Sequence, residues 1–440
     1  MNSNEVLQIL EQEKVNYLRL CFTDIFGIAK NVEVPRNQFQ KAVNSEIMFD
    51  GSSIDGFTRI EESDMLLVPD LTTLLIYPWD TAEFKTARLM CDIYTPEGQP
   101  FEGCPRLTLK KVMQEAAELG YEMFVGPEPE FFLFETDSTG KTILDVHDKA
   151  GYFDLAPIDQ GEEVRREITI TLQKLGFEIE ASHHECANGQ HEIDFKYDNA
   201  LKTADNIVTF TFIVRKIAKK HGLHASFLPK PVFGAAGSGM HLHVSLFKNN
   251  ENSFYEENGQ YQLSKTALQF TAGVLNHAKA IVAVTNPLVN SYKRLLPGYE
   301  APVNIAWSLK NRSPLIRIPA KRGAGTRIEL RVPDPSANPY LAIAVVLKAG
   351  LEGIKKQLVP PPTVDGNIFE MTESQKKKLK IEQLPANLLE AVNYLSKDEV
   401  VKAALGEHIY EKFRAAKLEE WAEYSAHVSD WELKRYLGIY

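Results

Sequence analysis

The sequence predicts an α+β protein with a small, β-rich N-terminal part and a large C-terminal part that combines a sheet with helices. Two observations support this prediction. Short β segments dominate up to about residue 93, whereas strand-like and helical segments alternate after it. The stretch 95–105 carries three Pro and two Gly, which is typical of a boundary. The predicted domains are therefore 1–103 and 104–440.

Local patterns predict the elements of the N-terminal part in order. An amphipathic helix is expected at 4–14, followed by strands at 17–22 and 29–34 around an Asp-Ile-Phe-Gly turn. Residues 50–56 form a small, acidic, glycine-containing loop, for which a plain surface turn is the alternative interpretation. A helix follows at 105–120, because Pro stands at its start and Gly just past its end.

The C-terminal part alternates strand and helix patterns. An apolar, aromatic run at 125–134 predicts a buried strand, and 177–195 is strand-like on both sides of a His-His-Glu sequence. A loop with a Pro-Gly turn is expected at 290–302, and a Pro-Pro-Pro-Thr linker precedes a helix-rich end at 386–440. The predicted helices before that end cover 161–176, 203–222, 264–286 and 338–357.

Composition narrows the class of protein. The 440 residues are enough for one large core or for two to three domains. A net charge of −10 argues against a general nucleic-acid binder. The four cysteines form no Cys-x-x-Cys pair, so a reducing cytoplasm is expected. No signal peptide is evident and no stretch approaches 18 apolar residues, so no membrane span is expected.

Pairs of ionisable residues two positions apart recur along the predicted strands. Glu128 and Glu130 would lie side by side on one face of a strand, next to an apolar run. Unpaired, they would repel each other and lose hydration, and a bound cation is one remedy. A polar face turned to water is the alternative for this strand alone. The repetition instead predicts one large polar cavity lined by a sheet, to which the further strands contribute His241 and His243, Glu192 and Asp194, and Arg327, Glu329 and Arg331.

Candidate metal ligands are dominated by carboxylates. Five carboxylates and one imidazole could share the cavity, namely Glu128, Glu130, Glu185, Glu192, His241 and Glu329. Such a set is too anionic without cations, and it favours Mg²⁺ or Mn²⁺ over zinc. Six groups suit two metal sites better than one. His183 and His184 are alternative ligands, although a His beside a ligand more often supports it by hydrogen bonding.

Arginines cluster in a short part of the chain, which adds a phosphate-binding character. They are Arg294, Arg312, Arg322, Arg327 and Arg331. Arginine binds phosphate in a bidentate manner and stays charged, although structural balance of the glutamates is an alternative role. No Gly-x-x-x-x-Gly-Lys-Ser/Thr motif is present. The residues alone therefore indicate two-metal phosphoryl transfer or metal-assisted hydrolysis.

Six ordered motifs resemble one family. They are Phe-Asp-Gly-Ser-Ser at 49–53, Gly-Pro-Glu-Pro-Glu-Phe-Phe at 126–132, His-His-Glu with Gly-Gln-His-Glu-Ile-Asp at 183–194, Lys-Pro-Val-Phe-Gly and Gly-Ser-Gly-Met-His at 230–241, Asn-Ser-Tyr-Lys-Arg-Leu-Leu-Pro-Gly-Tyr-Glu-Ala-Pro at 290–302, and Arg-Ile-Glu-Leu-Arg-Val-Pro-Asp at 327–334. Over nearly its whole length the chain resembles bacterial type I glutamine synthetases. The resemblance implies a β-grasp-like N-terminal domain, a catalytic domain with an antiparallel, open barrel-like sheet, and ATP-dependent ligation of ammonia to L-glutamate through γ-glutamyl phosphate.

The resemblance also implies roles for single residues. Glu130, Glu185 and Glu192 match the first metal site of the family, and Glu128, His241 and Glu329 match the second, with two or more Mg²⁺ or Mn²⁺ ions expected. The remaining matches concern the substrates: Arg294 and Gly237 for glutamate, Arg312 and Arg331 for the transferring phosphoryl group, Glu180 and Ser245 for ATP, Asp50 for ammonium from a neighbouring subunit, and Glu300 for the flap over the intermediate.

Departures from the family pattern bear on regulation and affinity. Ala236 stands where the family usually has Asn, next to the glutamate site. No Tyr precedes Leu384 and Pro385, so control by adenylylation is not expected. The short catalytic part resembles the subgroup of Gram-positive bacteria, in which Arg59 matches a position linked to feedback inhibition by glutamine.

The resemblance further implies an assembly and leaves two competing functions. Family members form two stacked hexameric rings, so a dodecamer with active sites between subunits is expected, together with contact with a nitrogen transcription regulator. A γ-glutamyl-polyamine ligase on the same scaffold is one alternative, although relatives of that kind tend to lose the ammonium-site acids, and Asp50 and Glu300 are present. A catalytically silent, nitrogen-responsive regulator is the other.

Overall fold

The computed structural model of the chain describes residues 1–54, 56–57, 64–79, 83–298, 301–311, 313–366 and 368–440. Three of the predicted site residues, Arg59, Glu300 and Arg312, lie outside the described residues.

A five-stranded mixed sheet forms the N-terminal part, and one face of it packs on α1 (Ser3–Gln12) and α2 (Phe39–Val43). The strand order is β2-β1-β5-β4-β3, in which only β1 and β5 run parallel. A capping box between Asn2 and Glu5 starts α1, which buries Val6 and Leu10. The sheet and these helices enclose a hydrophobic core of their own. The strands are β1 (Tyr17–Thr23), β2 (Ala29–Pro35), β3 (Ile47–Asp50), β4 (Asp64–Ile76) and β5 (Thr86–Tyr94).

A second, twelve-stranded sheet forms the framework of the C-terminal part. Its main path is β17-β14-β15-β16-β12-β6-β9-β8, and the long strand β6 also pairs with β7, β10 and β11. The strands are β6 (Glu122–Thr136), β7 (Thr142–Val146), β8 (Ile179–His184), β9 (Gln190–Phe195), β10 (Asp198–Asn199), β11 (Leu223–Ser226), β12 (Met240–Lys248), β13 (Glu251–Asn252), β14 (Asn304–Ser308), β15 (Pro314–Arg317), β16 (Ile328–Leu330) and β17 (Glu382–Gln383). The buried strand predicted at 125–134 is thus confirmed, and it lies within β6, which pairs with five other strands.

Helices cover one side of the large sheet, and α9 is almost entirely buried among them. It packs on α6 so closely that a Cβ on Gly353 would stand 2.1 Å from the Gln269 carbonyl oxygen. The helices are α3 (Pro105–Glu118), α4 (Glu162–Lys174), α5 (Ala200–Lys220), α6 (Lys265–Asn276), α7 (Ala278–Thr285), α8 (Ser291–Arg294), α9 (Pro339–Lys355), α10 (Glu373–Lys378), α11 (Leu388–Leu395), α12 (Glu399–Leu405), α13 (Glu407–Ala426) and α14 (Asp430–Tyr436). No helix in the described part of the chain has the length and apolar content that a bilayer crossing requires.

The prediction of a single helix at 264–286 is wrong. The chain breaks at His277, whose backbone (φ −100°, ψ 5°) leaves the helical region between α6 and α7. There the Nδ1 atom of His277 donates to Asp398, 2.7 Å away, at the start of α12. Apolar periodicity continues through both helices, so the pattern alone did not reveal the break.

Candidate active site

Strand register brings the predicted ionisable residues together across the large sheet. His241 on β12 lies opposite Glu128 on β6, and Glu130 on β6 lies opposite Glu192 on β9. On the other side of β12, His243 lies opposite Glu329 on β16. Because neighbouring strands are about 5 Å apart, side chains opposite one another on the same face come into contact.

These residues line two adjoining cavities rather than the one cavity predicted from the sequence. The first, of about 240 Å³, contains all six predicted metal ligands together with Gly237, Arg294 and Arg331. The second, of about 350 Å³, contains Glu180 and Ser245. Glu128 lines both cavities. The alternating pairs divide between them, because Glu192 faces the first cavity and Asp194 the second.

Two clusters of donor groups at the first cavity could each hold a cation, and all their members except His183 line it. In one, ligand atoms of Glu128, His241 and Glu329 lie within 4.8 Å of one another, which agrees with the predicted second metal site. In the other, His183 joins Glu185 and Glu192, and its Nε2 atom is 3.1 Å from Glu192. The predicted third member, Glu130, also lines the cavity, where it accepts hydrogen bonds from Gln190 Nε2 at 2.8 Å and Gly239 N at 3.0 Å.

The carboxylates of the second cluster are poorly compensated by protein cations. Burial and the nearby Glu185 and Glu128 raise the pKa of Glu192 to about 9. Burial, with Glu192 and Glu185 close by, likewise raises the pKa of Glu130 well above its ordinary value. These carboxylates cannot all ionise at neutral pH. A bound divalent cation would stabilise their ionised forms, since such an ion is the largest charge in a site of this kind. The donor set, rich in oxygen and without cysteine, therefore fits Mg²⁺ or Mn²⁺.

The first cluster is better balanced, and the tautomer of the neighbouring His243 is fixed. Arg327 Nε donates to His243 Nδ1 at 3.0 Å, so His243 donates from Nε2 to Glu128 at 2.6 Å. Burial would raise the pKa of Glu128, but the hydrogen bonds from His241 and His243 hold it well below its ordinary value. Burial, followed by the charge of Arg331, lowers the pKa of His241 to about 4, which keeps its imidazole neutral and able to bind a metal.

Three arginines line the first cavity. Arg331 Nη1 donates to Glu329 at 2.5 Å, and Arg317 Nε donates to the other oxygen of the same carboxylate. Arg294 is held by backbone, because Nη1 donates to the Val332 carbonyl at 2.8 Å and Nη2 to the Arg331 carbonyl at 3.2 Å. Arg322 does not converge with them, since its guanidinium donates to the carbonyl oxygens of Pro319 and Tyr261.

Comparison with known proteins accounts for this arrangement. Residues 102–436 match the family described as the glutamine synthetase catalytic domain, and residues 14–96 match the glutamine synthetase β-grasp domain. The chain belongs to the glutamine synthetase family. Among curated relatives, it is 58 % identical to a glutamine synthetase of Clostridium saccharobutylicum over 436 residues, covering 99 % of this chain and 98 % of that one. It is 59 % identical to that of Thermus thermophilus over 440 residues, covering 99 % of both.

Solved structures agree at the level of the whole fold. A GmaS/ADP complex superposes with a TM-score of 0.90 at 35 % identity, covering 98 % of this chain and 99 % of that one. The cryo-EM structure of Plasmodium falciparum glutamine synthetase superposes with a TM-score of 0.88 at 26 % identity, covering 99 % of both chains. The predicted α+β class, with a β-grasp domain and a helix-covered, near-barrel sheet, is thereby confirmed. As a member of the glutamine synthetase family, the chain is a ligase that uses ATP and a divalent metal.

Asp50, which was predicted to serve the site of a neighbouring subunit, lies away from both cavities of its own chain, and several residues that line the first cavity were missed. Asp50 is exposed at the end of β3 and lines neither cavity. The missed residues on the wall of the first cavity are Arg317, Gln190, Tyr152 and Cys186. A signal existed for Arg317, which alternates with apolar residues in Leu-Ile-Arg-Ile on a strand beside Glu329. Tyr152 lies in a loop without periodic pattern, so no local signal pointed to it.

Proposed function

We propose that the chain is a glutamate–ammonia ligase that converts L-glutamate, ammonium and ATP to L-glutamine, ADP and phosphate through γ-glutamyl phosphate. The observation that carries this proposal is the pair of adjoining cavities. One is rich in carboxylates and arginines, the other contains Glu180 and Ser245, and they meet at Glu128. A phosphoryl donor in the second cavity and its acceptor in the first would then be neighbours.

The residues of the first cavity suit glutamate and the transferred phosphoryl group. Arg294 offers a preorganised guanidinium to the glutamate α-carboxylate, and the Gly237 backbone lies beside it for the amine. Position 237 requires glycine, because the backbone there lies so close to Pro229 that a Cβ on Gly237 would stand 2.3 Å from the Pro229 carbonyl oxygen. Ala236 lines the same cavity. Arg331, with Arg312, is proposed to bind the phosphoryl oxygens.

The two clusters would hold the ions. Glu128, His241 and Glu329 are proposed for one Mg²⁺ or Mn²⁺, and Glu130, Glu185 and Glu192, with His183 beside them, for another. When bound, such ions would supply positive charge that stabilises the phosphoryl oxygens and offsets the repulsion between the phosphates of ATP and the γ-carboxylate of glutamate. The raised pKa values of Glu130 and Glu192 support cation binding, since a cation favours the ionised carboxylates.

The reaction proceeds in two steps. A γ-carboxylate oxygen of glutamate bonds to the terminal phosphorus of ATP as the bond between that phosphorus and ADP breaks. Ammonia then attacks the acyl carbon, and phosphate leaves with the electron pair of the carbon–oxygen bond. Asp50 of a neighbouring subunit and Glu300 are proposed to bind ammonium and take its proton, while the loop that carries Glu300 excludes water.

Exposure of Asp50 supports a shared site. Its carboxylate accepts hydrogen bonds only from Ser52 among the described residues, through the backbone at 2.8 Å and the hydroxyl at 2.6 Å. A dodecamer of two hexameric rings would bring this residue to the cavity of the next subunit. A cytoplasmic location, feedback inhibition by glutamine through Arg59 and contact with a nitrogen transcription regulator are further parts of this proposal, carried over from the resemblance.

Phosphate release from ATP tests the proposal. The wild type is assayed with Mg²⁺ and glutamate, with and without NH₄⁺, beside Glu300→Ala and the control Glu257→Ala. Glu257 is exposed and lines neither cavity. We expect release that needs both glutamate and NH₄⁺, a loss of about 100-fold or more in Glu300→Ala, and wild-type rates in the control.

Each departure from that result has a distinct meaning. Release that needs glutamate but is indifferent to NH₄⁺, and is accelerated by putrescine, would favour the γ-glutamyl-polyamine ligase. No release under any condition would contradict catalysis and favour the silent regulator.

A further inference from the structure

A buried polar cluster lies next to the first cavity, on the opposite face of the β8–β9 hairpin from the side chain of Glu192. Some of its members lie in the loop 147–161, which connects β7 to α4, or in α4 itself, and the others lie on the hairpin. They are His147, Asp148, Asp159, Arg165, His184 and His191, each at most 8 % exposed. The function proposed above uses none of them.

Hydrogen-bond chemistry shows that this cluster already balances its own charge. His184 has acceptors on both sides, the Glu185 carbonyl 2.7 Å from Nδ1 and Asp148 Oδ1 3.0 Å from Nε2, so it donates from both nitrogens and is cationic. Arg165 makes a two-pronged ion pair with Asp159, with distances of 3.0 and 2.6 Å. Two carboxylates therefore face two cations.

A metal ion does not fit this cluster, although its ligand atoms lie close together. Arg165 Nη1 also donates to His191 Nδ1 at 2.9 Å, which leaves the proton of that ring on Nε2, where a metal would have to bind. A divalent ion would also add two charges to a balanced set. The cluster must act through the protein itself.

Asp148 ties two segments together. Its Oδ1 accepts from His184 Nε2 and, at 2.9 Å, from the Gly189 backbone on the turn of the hairpin. Its other contacts hold the loop 147–161, because the backbone N–H groups of Ala150 and Gln160 donate to it at 3.3 and 3.2 Å. One carboxylate thus fixes both the hairpin and the loop.

Both segments reach the first cavity. His184 Nδ1 holds the carbonyl of Glu185, and the His184 carbonyl in turn accepts from the Phe153 backbone at 3.1 Å. Phe153 packs edge-on against the ring of His183, with centroids 4.7 Å apart, and Tyr152 lines the cavity. The Glu185–His183 end of the second metal cluster is therefore held in place from behind.

We propose that Asp148 is a positioning residue of the metal site: through His184 it fixes the backbone of Glu185, and through the loop 147–161 it fixes the wall around His183. The inference rests on the proposed function, because it takes Glu185 as a metal ligand. Partners of this kind set ligand orientation, and their loss typically costs 10- to 100-fold in metal affinity.

Direct Mn²⁺ binding tests the inference without turnover. The Kd is measured from the electron paramagnetic resonance signal of free Mn²⁺ for the wild type, Asp148→Asn and the matched control Asp159→Asn. The control loses a buried carboxylate of the same cluster that makes no hydrogen bond to the hairpin. We expect the Kd of at least one class of site to rise about 10-fold or more in Asp148→Asn, and to stay within about 2-fold in Asp159→Asn.

A second variant protects the test against misfolding. His184→Gln keeps a donor toward Asp148 but removes the donor to the Glu185 carbonyl, so it too should weaken Mn²⁺ binding about 10-fold. Circular dichroism melting checks that each variant is folded. Wild-type Mn²⁺ affinity in folded Asp148→Asn or His184→Gln, or equal loss in Asp159→Asn, would overturn the positioning role. Absence of Mn²⁺ binding in the wild type would instead overturn the proposed metal site itself.

Discussion

Two regions of the molecule each bury several carboxylates, and they treat the charge in opposite ways. Beneath the N-terminal sheet, Arg106 on α3 binds Asp205 through Nε and Nη2, Asp92 through Nη1 at 2.9 Å and Asp70 through Nη2 at 2.8 Å. Lys110 donates to the second oxygen of Asp92 at 2.5 Å. In the first cavity, by contrast, Glu130 and Glu192 lie opposite each other on neighbouring strands, and burial together with nearby carboxylates raises the pKa of both.

The difference separates structure from function. The Arg106 network contains its own cations, and it joins β4 and β5 of the N-terminal sheet to α5 of the catalytic part. Each of its three aspartates has a cationic partner within hydrogen-bonding distance. The cavity is lined by five glutamates and three arginines, so we propose that bound cations complete its charge balance. A surplus of buried charge, rather than buried charge as such, marks the site.

Among the changes that test this comparison, replacement of Arg106 should have the largest effect on the free energy of unfolding. In Arg106→Met the apolar stem stays but three aspartates lose a cationic partner, and only Asp92 keeps another in Lys110, so we expect a loss of about 3–5 kcal/mol in unfolding free energy. The exposed pair of Arg19 and Glu33, in which the side chains are 33 % and 37 % exposed, provides the control, and Arg19→Met should cost less than about 1 kcal/mol. Urea unfolding of the metal-free protein measures both. Similar losses of unfolding free energy in the two variants would mean that the buried network stabilises the protein no more than an exposed ion pair does.

The same chemical change made in both regions sharpens the comparison. Asp92→Asn should destabilise the metal-free protein, because Arg106 and Lys110 lose a charged partner. Glu192→Gln should stabilise it by about 1 kcal/mol or more at neutral pH. With its pKa raised to about 9, folded Glu192 keeps a proton that the unfolded chain loses above pH 4.5, so its contribution to stability falls as the pH rises between those values.

The two substitutions should affect activity in the opposite order to stability. Glu192→Gln is expected to lower NH₄⁺-dependent phosphate release at least about 100-fold and to abolish most of the stabilisation by added Mn²⁺, whereas Asp92→Asn should keep both. Melting curves with and without Mn²⁺, beside the phosphate assay, provide the two readouts. A destabilised Glu192→Gln would show that the cavity is compensated after all.

Much of the site could be predicted from the sequence because its residues lie on strands. Side chains at positions i and i+2 share a face, so Glu128 with Glu130, and His241 with its neighbours, could be assigned to one surface before any pairing was known. Pairing then needed only the correct register, which the apolar alternation of each strand constrains. The division into two cavities was not predictable, because Glu192 and Asp194, two positions apart on β9, line different cavities.

The parts that could not be predicted depend on contacts distant in sequence. Asp148 and His184 are 36 residues apart, and neither lies in a pattern that points to the other. The break at His277 depends on Asp398, 121 residues away, which stabilises a non-helical backbone inside a continuous apolar pattern. Asp50 illustrates a different limit, since one chain alone cannot bring it to a cavity that the proposed assembly forms between subunits.

The smallest expected effect is on stability at acid pH, because the carboxylates of the two regions should affect stability in different pH ranges. Burial would raise the pKa of Asp70, but hydrogen bonds from Thr72 and Arg106 more than offset this and lower it. A carboxylate with a lowered pKa adds stability above about pH 4, and this contribution is lost as the pH falls through the folded-state value. Asp70→Asn should therefore flatten the decline in stability below pH 4 by about 1 kcal/mol, and Thr72→Ala by less. Urea unfolding at several pH values measures the slopes, and Glu192→Gln, which acts above pH 4.5, should leave the acid limb unchanged. If Asp70→Asn declines as steeply as the wild type, Arg106 does not hold this outer aspartate, and the network reduces to its two inner pairs.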